Sequence, residues 1–213
     1  LVDIPKTHRI LDPVLGGGAL LDLGPYPLIW ALLFLYENPA NGGRKPTSIT
    51  GSMLKTPLTG VDASTSFTVA FGEGHQQAHG VLTCNITLPA MEPCVHARFR
   101  NGNIIIPSGI FRPTSFVVQW FDAPGSGKIA REERRNFEYT GFGWHFQADE
   151  VARCVREGKL ESDLWGHDKS LVEMEIFDKV LAAFMQSTPM CSSRFQVRRQ
   201  GGYKLPEGVE KVV

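Results

Sequence analysis

The chain has 213 residues, with 22 Lys and Arg against 22 Asp and Glu, so its formal net charge is zero. That balance removes the clustered positive charge on which nucleic-acid and acidic-membrane binding rest, and 42% hydrophobic with 21% charged residues is a globular composition, not a disordered one. The four cysteines (Cys84, Cys94, Cys154, Cys191) form no C-x-x-C pair, which argues against a zinc ribbon or a disulfide-dense secreted module and for a reduced, cytoplasmic setting. The first residue is Leu1 and no basic, then apolar leader follows. No signal peptide is read, and the chain is expected to be a fragment.

Residues 1–42 hold a polar lead-in, a glycine cluster and an apolar stretch that closes at Glu37-Asn38-Pro39. Pro25 and Pro27 suit a first helical turn, where a missing N–H loses no partner. The longest apolar run is Pro27 to Tyr36. A helix of that length spans only about 15 Å, half of a ~30 Å hydrocarbon core, so it is read as a buried helix and not a membrane span.

Residues 48–140 read as strands: Ser48–Lys55, Val61–Phe71, Gln76–Leu88, Cys94–Arg100, Asn103–Pro107 and Ser115–Asp122. Phe67, Val69 and Phe71 alternate with Ser66, Thr68 and Ala70, as on a strand with one buried face. Asn101-Gly102 between two runs signals a hairpin, because both residues accept positive φ. Arg131-Glu132-Glu133-Arg134-Arg135 reads as a solvated turn. Residues 143–184 return to helical spacing. One helix is expected to turn Phe146, Val151, Cys154 and Val155 inward and to stop at Gly158. A second, capped by Asp168 or Ser170, would turn in Leu171, Met174, Phe177 and Leu181. The predicted class is α+β: a largely antiparallel open sheet with helices on one face.

Most motif-like text fails on spacing. Gly16-Gly17-Gly18 follows no buried strand and is not G-x-G-x-x-G. Gly125-Ser126-Gly127-Lys128 has Asp122 where a phosphate loop needs its first glycine and Ile129 where it needs Ser or Thr. A tight turn and a sheet connection are the simpler readings. His75 and His79 are four apart without a third ligand nearby. Phe142 and Trp144 suit either stacking on a sugar or packing in a core. Asn85-Ile86-Thr87 matches a glycosylation triplet but lies in strand-like text and carries no weight.

Asp22 and Tyr26 are more informative. On a helix, residues four apart share a face, about 6 Å apart at Cβ. An Asp amid apolar text is costly unless paired, and a tyrosine can pass a proton through its phenol. On spacing alone, a capping Asp and a core Tyr are the simpler reading.

The text around this pair adds a resemblance. Gly16-Gly17-Gly18-Ala19-Leu20-Leu21-Asp22-Leu23-Gly24-Pro25-Tyr26 fits the pattern G-G-G-x-L-x-D-x-G-x-[HY], preceded by His8-Arg9-Ile10-Leu11-Asp12-Pro13. Later blocks agree: Ala148-Asp149-Glu150-Val151-Ala152-Arg153-Cys154, Gly158-Lys159-Leu160-Glu161-Ser162, Ser170-Leu171-Val172-Glu173-Met174-Glu175-Ile176, and the tail from Arg199 to Glu207. In these blocks the chain resembles the C-terminal domain of the glucose-fructose oxidoreductase / inositol dehydrogenase / rhizopine catabolism family, nearest to its sugar- and dihydrodiol-oxidising members. The resemblance implies that residues 1–213 are a C-terminal substrate-binding and dimerisation domain. Tyr26 falls where such members place their general acid/base, and Asp22 on the carboxylate that orients the reactive hydroxyl. The implied reaction is NADP-dependent hydride transfer from a small polyhydroxylated ring such as D-xylose, or from a trans-dihydrodiol. The implied partner is a second copy, packed through the open sheet at faces such as Phe67–Phe71 and Phe116–Trp120. The second reading is a non-catalytic dimerisation or interaction module of the same fold.

Two departures bear on those expectations. The text given holds neither a Rossmann domain nor the family's Glu-Lys-Pro motif; Arg44-Lys45-Pro46 follows the Tyr26 helix instead of preceding it. The chain is therefore expected to hold half an active site, to bind no dinucleotide tightly and to be inactive alone. Further on, Val180–Gln196 interrupts the family-like text, and its removal would join Lys179 to Val197. A retained in-frame intron and a genuine helix extension both account for it.

Overall fold

The computed structural model describes residues 4–72 and 77–187, with side chains to residue 184. Two 3-10 turns, Arg9–Leu11 and Pro13–Leu15, lead into α1 (Ala19–Leu23) and α2 (Pro25–Ala31), which runs on into a π-helical turn, Leu32–Tyr36. Seven strands follow: β1 (Ser48–Lys55), β2 (Asp62–Phe71), β3 (Ala78–Asn85), β4 (Val95–Phe99), β5 (Gly102–Ile106), β6 (Ser115–Phe121) and β7 (Ile129–Asn136). Helices α3 (Trp144–Arg156) and α4 (His167–Ser187) complete the described residues. Every strand pair is antiparallel, and the α+β class holds. The single open sheet expected from the sequence is divided into two, β1-β2-β3 and β4-β5-β6-β7.

The core lies between the first sheet and the helices. Leu20, Leu28 and Leu32 from the first helical segment and Val172, Ile176, Phe177 and Val180 from α4 close over Phe67, Val69, Phe71 and Leu82. Phe67 meets Phe177 edge to face, with centroids 6.2 Å apart; truncating either ring to Ala would cost about 3–5 kcal/mol. The alternation read in β2 is therefore real, but its apolar face is consumed by the chain's own core and offers nothing to a second copy. The Phe116–Trp120 face is also partly covered: Phe116 packs on Phe137, and Arg131 stacks over Trp120. On α4 the inward face is Val172, Ile176, Phe177 and Val180; Leu171 and Met174, expected inside, are exposed. The helix begins at His167, ahead of both expected caps, Asp168 and Ser170.

The charge run Arg131–Arg135 is not a turn. It forms most of β7, the outer strand of the second sheet, paired with β6. Charges on an edge strand discourage further strand addition, which is why the segment lacks the aliphatic signature of an inner strand. Asn101-Gly102 does mark the β4–β5 hairpin, but Gly102 is the first residue of β5 and not a positive-φ position. A Cβ there would come within 1.9 Å of the Gln119 carbonyl oxygen, so glycine is required by the close approach of β6. Gly125-Ser126-Gly127-Lys128 is the β6–β7 connection, where Asp122 accepts from Ser126 Oγ at 2.6 Å and pairs with Lys128 at 3.3 Å.

Helix α4 runs through Val180 to Ser187 without a break, and Leu181 packs beside the core. Removing Val180–Gln196 would place Val197 in the slot of Val180, so a valine follows Lys179 in either form. The remainder of that stretch, 188–196, and the family-like tail lie outside the described residues.

Helix α3 departs most from expectation. Of its expected inward face only Cys154 is buried, while Phe146, Val151 and Val155 are exposed. Polar contacts hold it instead. Arg153 donates to both Glu150 oxygens at 2.8 Å and to Glu157 at 2.6 Å, and Ser162 Oγ donates to Glu150 at 2.5 Å. Arg153 first, then Ser162, holds the Glu150 carboxyl down to about 2 from its ordinary 4.5. Since the folded-state value is depressed, the unfolded chain takes up the proton first as pH falls from 4.5 toward 2. The staple's contribution is whole above that window and is lost across it. The protection of the amides of residues 161–163, relative to their intrinsic exchange at each pH, is expected to fall between those pH values, and in Glu150→Gln to be low already at neutral pH. Protection that is constant with pH and equal in the two proteins would contradict this.

Candidate active site

The segment before α1 is a hook that closes on itself. The Gly17 N–H donates to the Asp12 carbonyl and the Gly18 N–H to that of Ile10, both at 2.8 Å. A Cβ on Gly17 would meet the carbonyl oxygens of Ile10, Arg9 and Asp12 at 2.7–2.8 Å. Gly18 has φ +123°, and a Cβ there would lie 2.0 Å from Asp62 Oδ1. Asp62, at the start of β2, accepts the Leu20 N–H at 2.8 Å and the buried Thr65 hydroxyl at 2.6 Å. The glycines thus serve a tight turn against a carboxylate, and the N–H groups of Gly17 and Gly18 are used internally. They do not fit the phosphates of a dinucleotide, which need free N–H groups.

Asp62 is the group that satisfies the start of α1, so Asp22 is not a cap. Asp22 sits one turn in and pairs with Arg9, Nη1 to Oδ1 at 2.5 Å, with its side chain 22% exposed. Gly24 keeps helical angles, φ −59° and ψ −32°, so the path from α1 into α2 is continuous and Asp22 and Tyr26 keep their i, i+4 relation. Tyr26 is not a core residue. It is 40% exposed, its ring 5.8 Å from that of Phe111 on the loop before β6. Tyr26, Trp30 and Phe34 form one stripe toward the second sheet: Trp30 Nε1 donates to the Ile110 carbonyl at 3.0 Å and Phe34 meets Phe99 edge to face.

Asp22 lines a cavity of about 530 Å³ together with Arg9, Ser170 and Glu173. Tyr26 is not part of its wall, and no hydrogen bond joins it to Asp22 among the described residues. A second cavity of about 690 Å³ adjoins, sharing Pro25 and Glu173, with Ile29 and Leu33 on one side and Trp165 and Lys169 on the other. Lys169 pairs with Glu37 at 2.6 Å across it. Burial pushes the Glu173 carboxyl up, and no partner pulls it back.

Phe142 and Trp144 are not core aromatics. They stack on each other at 5.7 Å, with Trp144 74% exposed, and Arg112 lies 4.6 Å over the Phe142 ring. Phe111, Arg112 and Phe142 thus continue the surface that begins at Tyr26. Among the described residues no group of His, Cys, Asp or Glu could hold a metal ion, and no helix is long and apolar enough to cross a membrane. His75 lies outside the described residues. Sequence reasoning missed Arg9 and Asp62. Nothing in the sequence marks the first as the partner of a residue thirteen positions on, and the second lies 42 residues from the helix it caps.

No family model matches the chain. The D-xylose 1-dehydrogenase (NADP(+)) of Hypocrea jecorina is 32% identical over 212 residues, covering 94% of this chain and 48% of that protein. The trans-1,2-dihydrobenzene-1,2-diol dehydrogenase of Xenopus tropicalis is 32% identical over 184 residues, 84% of this chain and 51% of that protein. Among solved structures, an NAD binding oxidoreductase from Klebsiella pneumoniae superposes with a TM-score of 0.61 at 17% identity, over 85% of this chain and 52% of that one. An NAD-binding protein from Listeria innocua gives 0.54 at 18% identity, over 86% and 50%. At those identities the likeness is one of fold. The chain spans about half the length of the curated relatives it matches. The likeness to these sugar and dihydrodiol dehydrogenases, over about half of each, bears out the resemblance to the glucose-fructose oxidoreductase / inositol dehydrogenase / rhizopine catabolism family.

Proposed function

We propose that this chain is the substrate-binding part of an NADP-dependent dehydrogenase that oxidises a sugar, D-xylose to its lactone, or a trans-dihydrodiol. The observation that carries the reading is the helical stripe on which Asp22 and Tyr26 stand one turn apart, each open to solvent. The proton side of the reaction belongs to this chain. Tyr26, its own phenolic proton already given up, takes the O–H proton of the reacting hydroxyl as the hydride leaves that carbon, and Asp22 orients the substrate by accepting a hydrogen bond from the neighbouring hydroxyl. The exposed ring of Phe111 beside Tyr26, with Phe142 and Trp144 further along the same surface past Arg112, offers a stacking surface for a sugar ring or a planar diol. A nicotinamide, which nothing in the glycine hook can hold, supplies the hydride acceptor from a complementary nucleotide-binding half.

The relatives' names support the sugar and diol substrates, and the internal use of the glycine N–H groups supports inactivity of the chain alone. The test is an NADP⁺ reduction assay with D-xylose, on the chain alone and joined to the nucleotide-binding half of the Hypocrea jecorina relative. Activity only in the joined form is expected; turnover by the chain alone would remove the half-site reading, and none in the joined form the dehydrogenase reading. A second copy is proposed to pack on the outer face of the first sheet, where Thr50, Ser52, Ser66, Thr68 and Thr83 surround the exposed Val81. Light scattering of Val81→Lys against the parent chain tests that contact.

A further inference from the structure

We propose that Arg9 is a positioning residue for Asp22 and that the glycine hook ahead of α1 serves to deliver it; this rests on the dehydrogenase reading of Asp22. A carboxylate that orients a substrate hydroxyl must hold one oxygen still while offering the other. Arg9 Nη1 occupies Oδ1 at 2.5 Å, and Oδ2 has no hydrogen-bond partner among the described residues. Both side chains line the same cavity. Glu173, the other acid in that wall, makes no ion pair with Arg9, although it stands across the cavity on α4.

The backbone of Arg9 is itself held. Its carbonyl accepts the Asp12 N–H at 3.2 Å, and the Ile10 carbonyl next to it accepts the Gly18 N–H. Gly17 passes so close to the Arg9, Ile10 and Asp12 carbonyls that any side chain there would push this segment away from α1. The hook therefore fixes the distance from Arg9 to Asp22 twice, by hydrogen bonds and by the absence of a Cβ. Folding stability does not explain the pair. The Arg9 side chain is 68% exposed, and exposed ion pairs contribute little to stability because water and salt screen them. What such a pair supplies is direction: a guanidinium approaches a carboxylate oxygen along a narrow range of angles.

The experiment titrates D-xylose and a trans-dihydrodiol into the full chain, followed by amide NMR shifts, for the parent, Arg9→Met, Arg9→Lys, Asp22→Asn and the Arg9→Met/Asp22→Asn double variant. Arg9→Met is expected to weaken affinity on the order of tenfold through misplacement of the carboxylate, with its melting temperature close to the parent's. Arg9→Lys, which keeps the charge but not the planar guanidinium, should recover little of the loss, and the double variant should bind no more weakly than Asp22→Asn. Equal affinity of Arg9→Met and the parent overturns the inference while leaving the site reading intact. Losses that add in the double variant overturn it too, since the two residues would then act separately. A parent chain that binds neither ligand removes the site reading, and this inference with it.

Discussion

Tyr26→Phe is expected to lower turnover by about 10²–10⁴-fold in the joined dehydrogenase while leaving substrate affinity nearly unchanged, the range typical of losing a positioned acid or base. The change removes one oxygen and keeps the ring. The ring makes the contact with Phe111 at 5.8 Å, and 40% of the residue faces solvent, so no buried partner of the hydroxyl is lost and the fold should hold. That separation makes the experiment decisive. A fall in kcat with unchanged KM and unchanged melting places Tyr26 in the proton step. Near-normal turnover would remove it from the mechanism and leave Asp22 without a proton acceptor beside it. Asp22→Ala should differ in kind. On the proposed mechanism it removes the group that orients a substrate hydroxyl, so KM is expected to rise as well as kcat to fall.

The elements with a strong local signal were legible. β1 was read to the residue, and the apolar alternation of β2 followed from the two-residue period of a strand. Asp22 and Tyr26 were singled out by the family-like pattern around them, since helical spacing alone favours a cap and a core residue; the helical path that puts them on one face survives Gly24-Pro25. What was missed depends on long-range partners. β7 has a strand's hydrogen bonds with a turn's composition, since its side chains answer to an exposed edge and to Trp120 below Arg131. The inward face of α3 was misread because apolar periodicity says which residues seek cover, not whether these residues supply it. Val151, Val155 and Trp144 stay exposed here while Glu150 and Arg153 hold the helix. Phe142 and Trp144 were weighed as core for the same reason. Arg9 and Asp62 were invisible as partners because ion pairs and remote caps leave no periodicity in the chain.

Gly18→Ala is expected to destabilise the chain by about 3 kcal/mol or more, a large part of the ~5–15 kcal/mol that holds a typical domain. Two costs combine. A residue with a side chain at φ +123° and ψ 170° sits in a region essentially reserved for glycine, at about 1–3 kcal/mol. The new methyl would also stand 2.0 Å from Asp62 Oδ1. Asp62 cannot simply rotate away, because Oδ2 holds both the Leu20 N–H and the Thr65 hydroxyl, and Thr65 is fully buried. Displacing it strands buried donors at about 1–3 kcal/mol each. Urea unfolding of Gly18→Ala, Asp62→Ala and the double variant separates the two costs. If the clash dominates, the double variant should be little worse than Asp62→Ala alone, because the methyl then fills the space the carboxylate left. If backbone strain dominates, the two losses should add. A Gly18→Ala midpoint equal to that of the parent would show that the hook can shift freely. Asp22 stands on the helix that this carboxylate holds in place, so a hook free to shift would also leave the carboxylate proposed to orient the substrate without a fixed position.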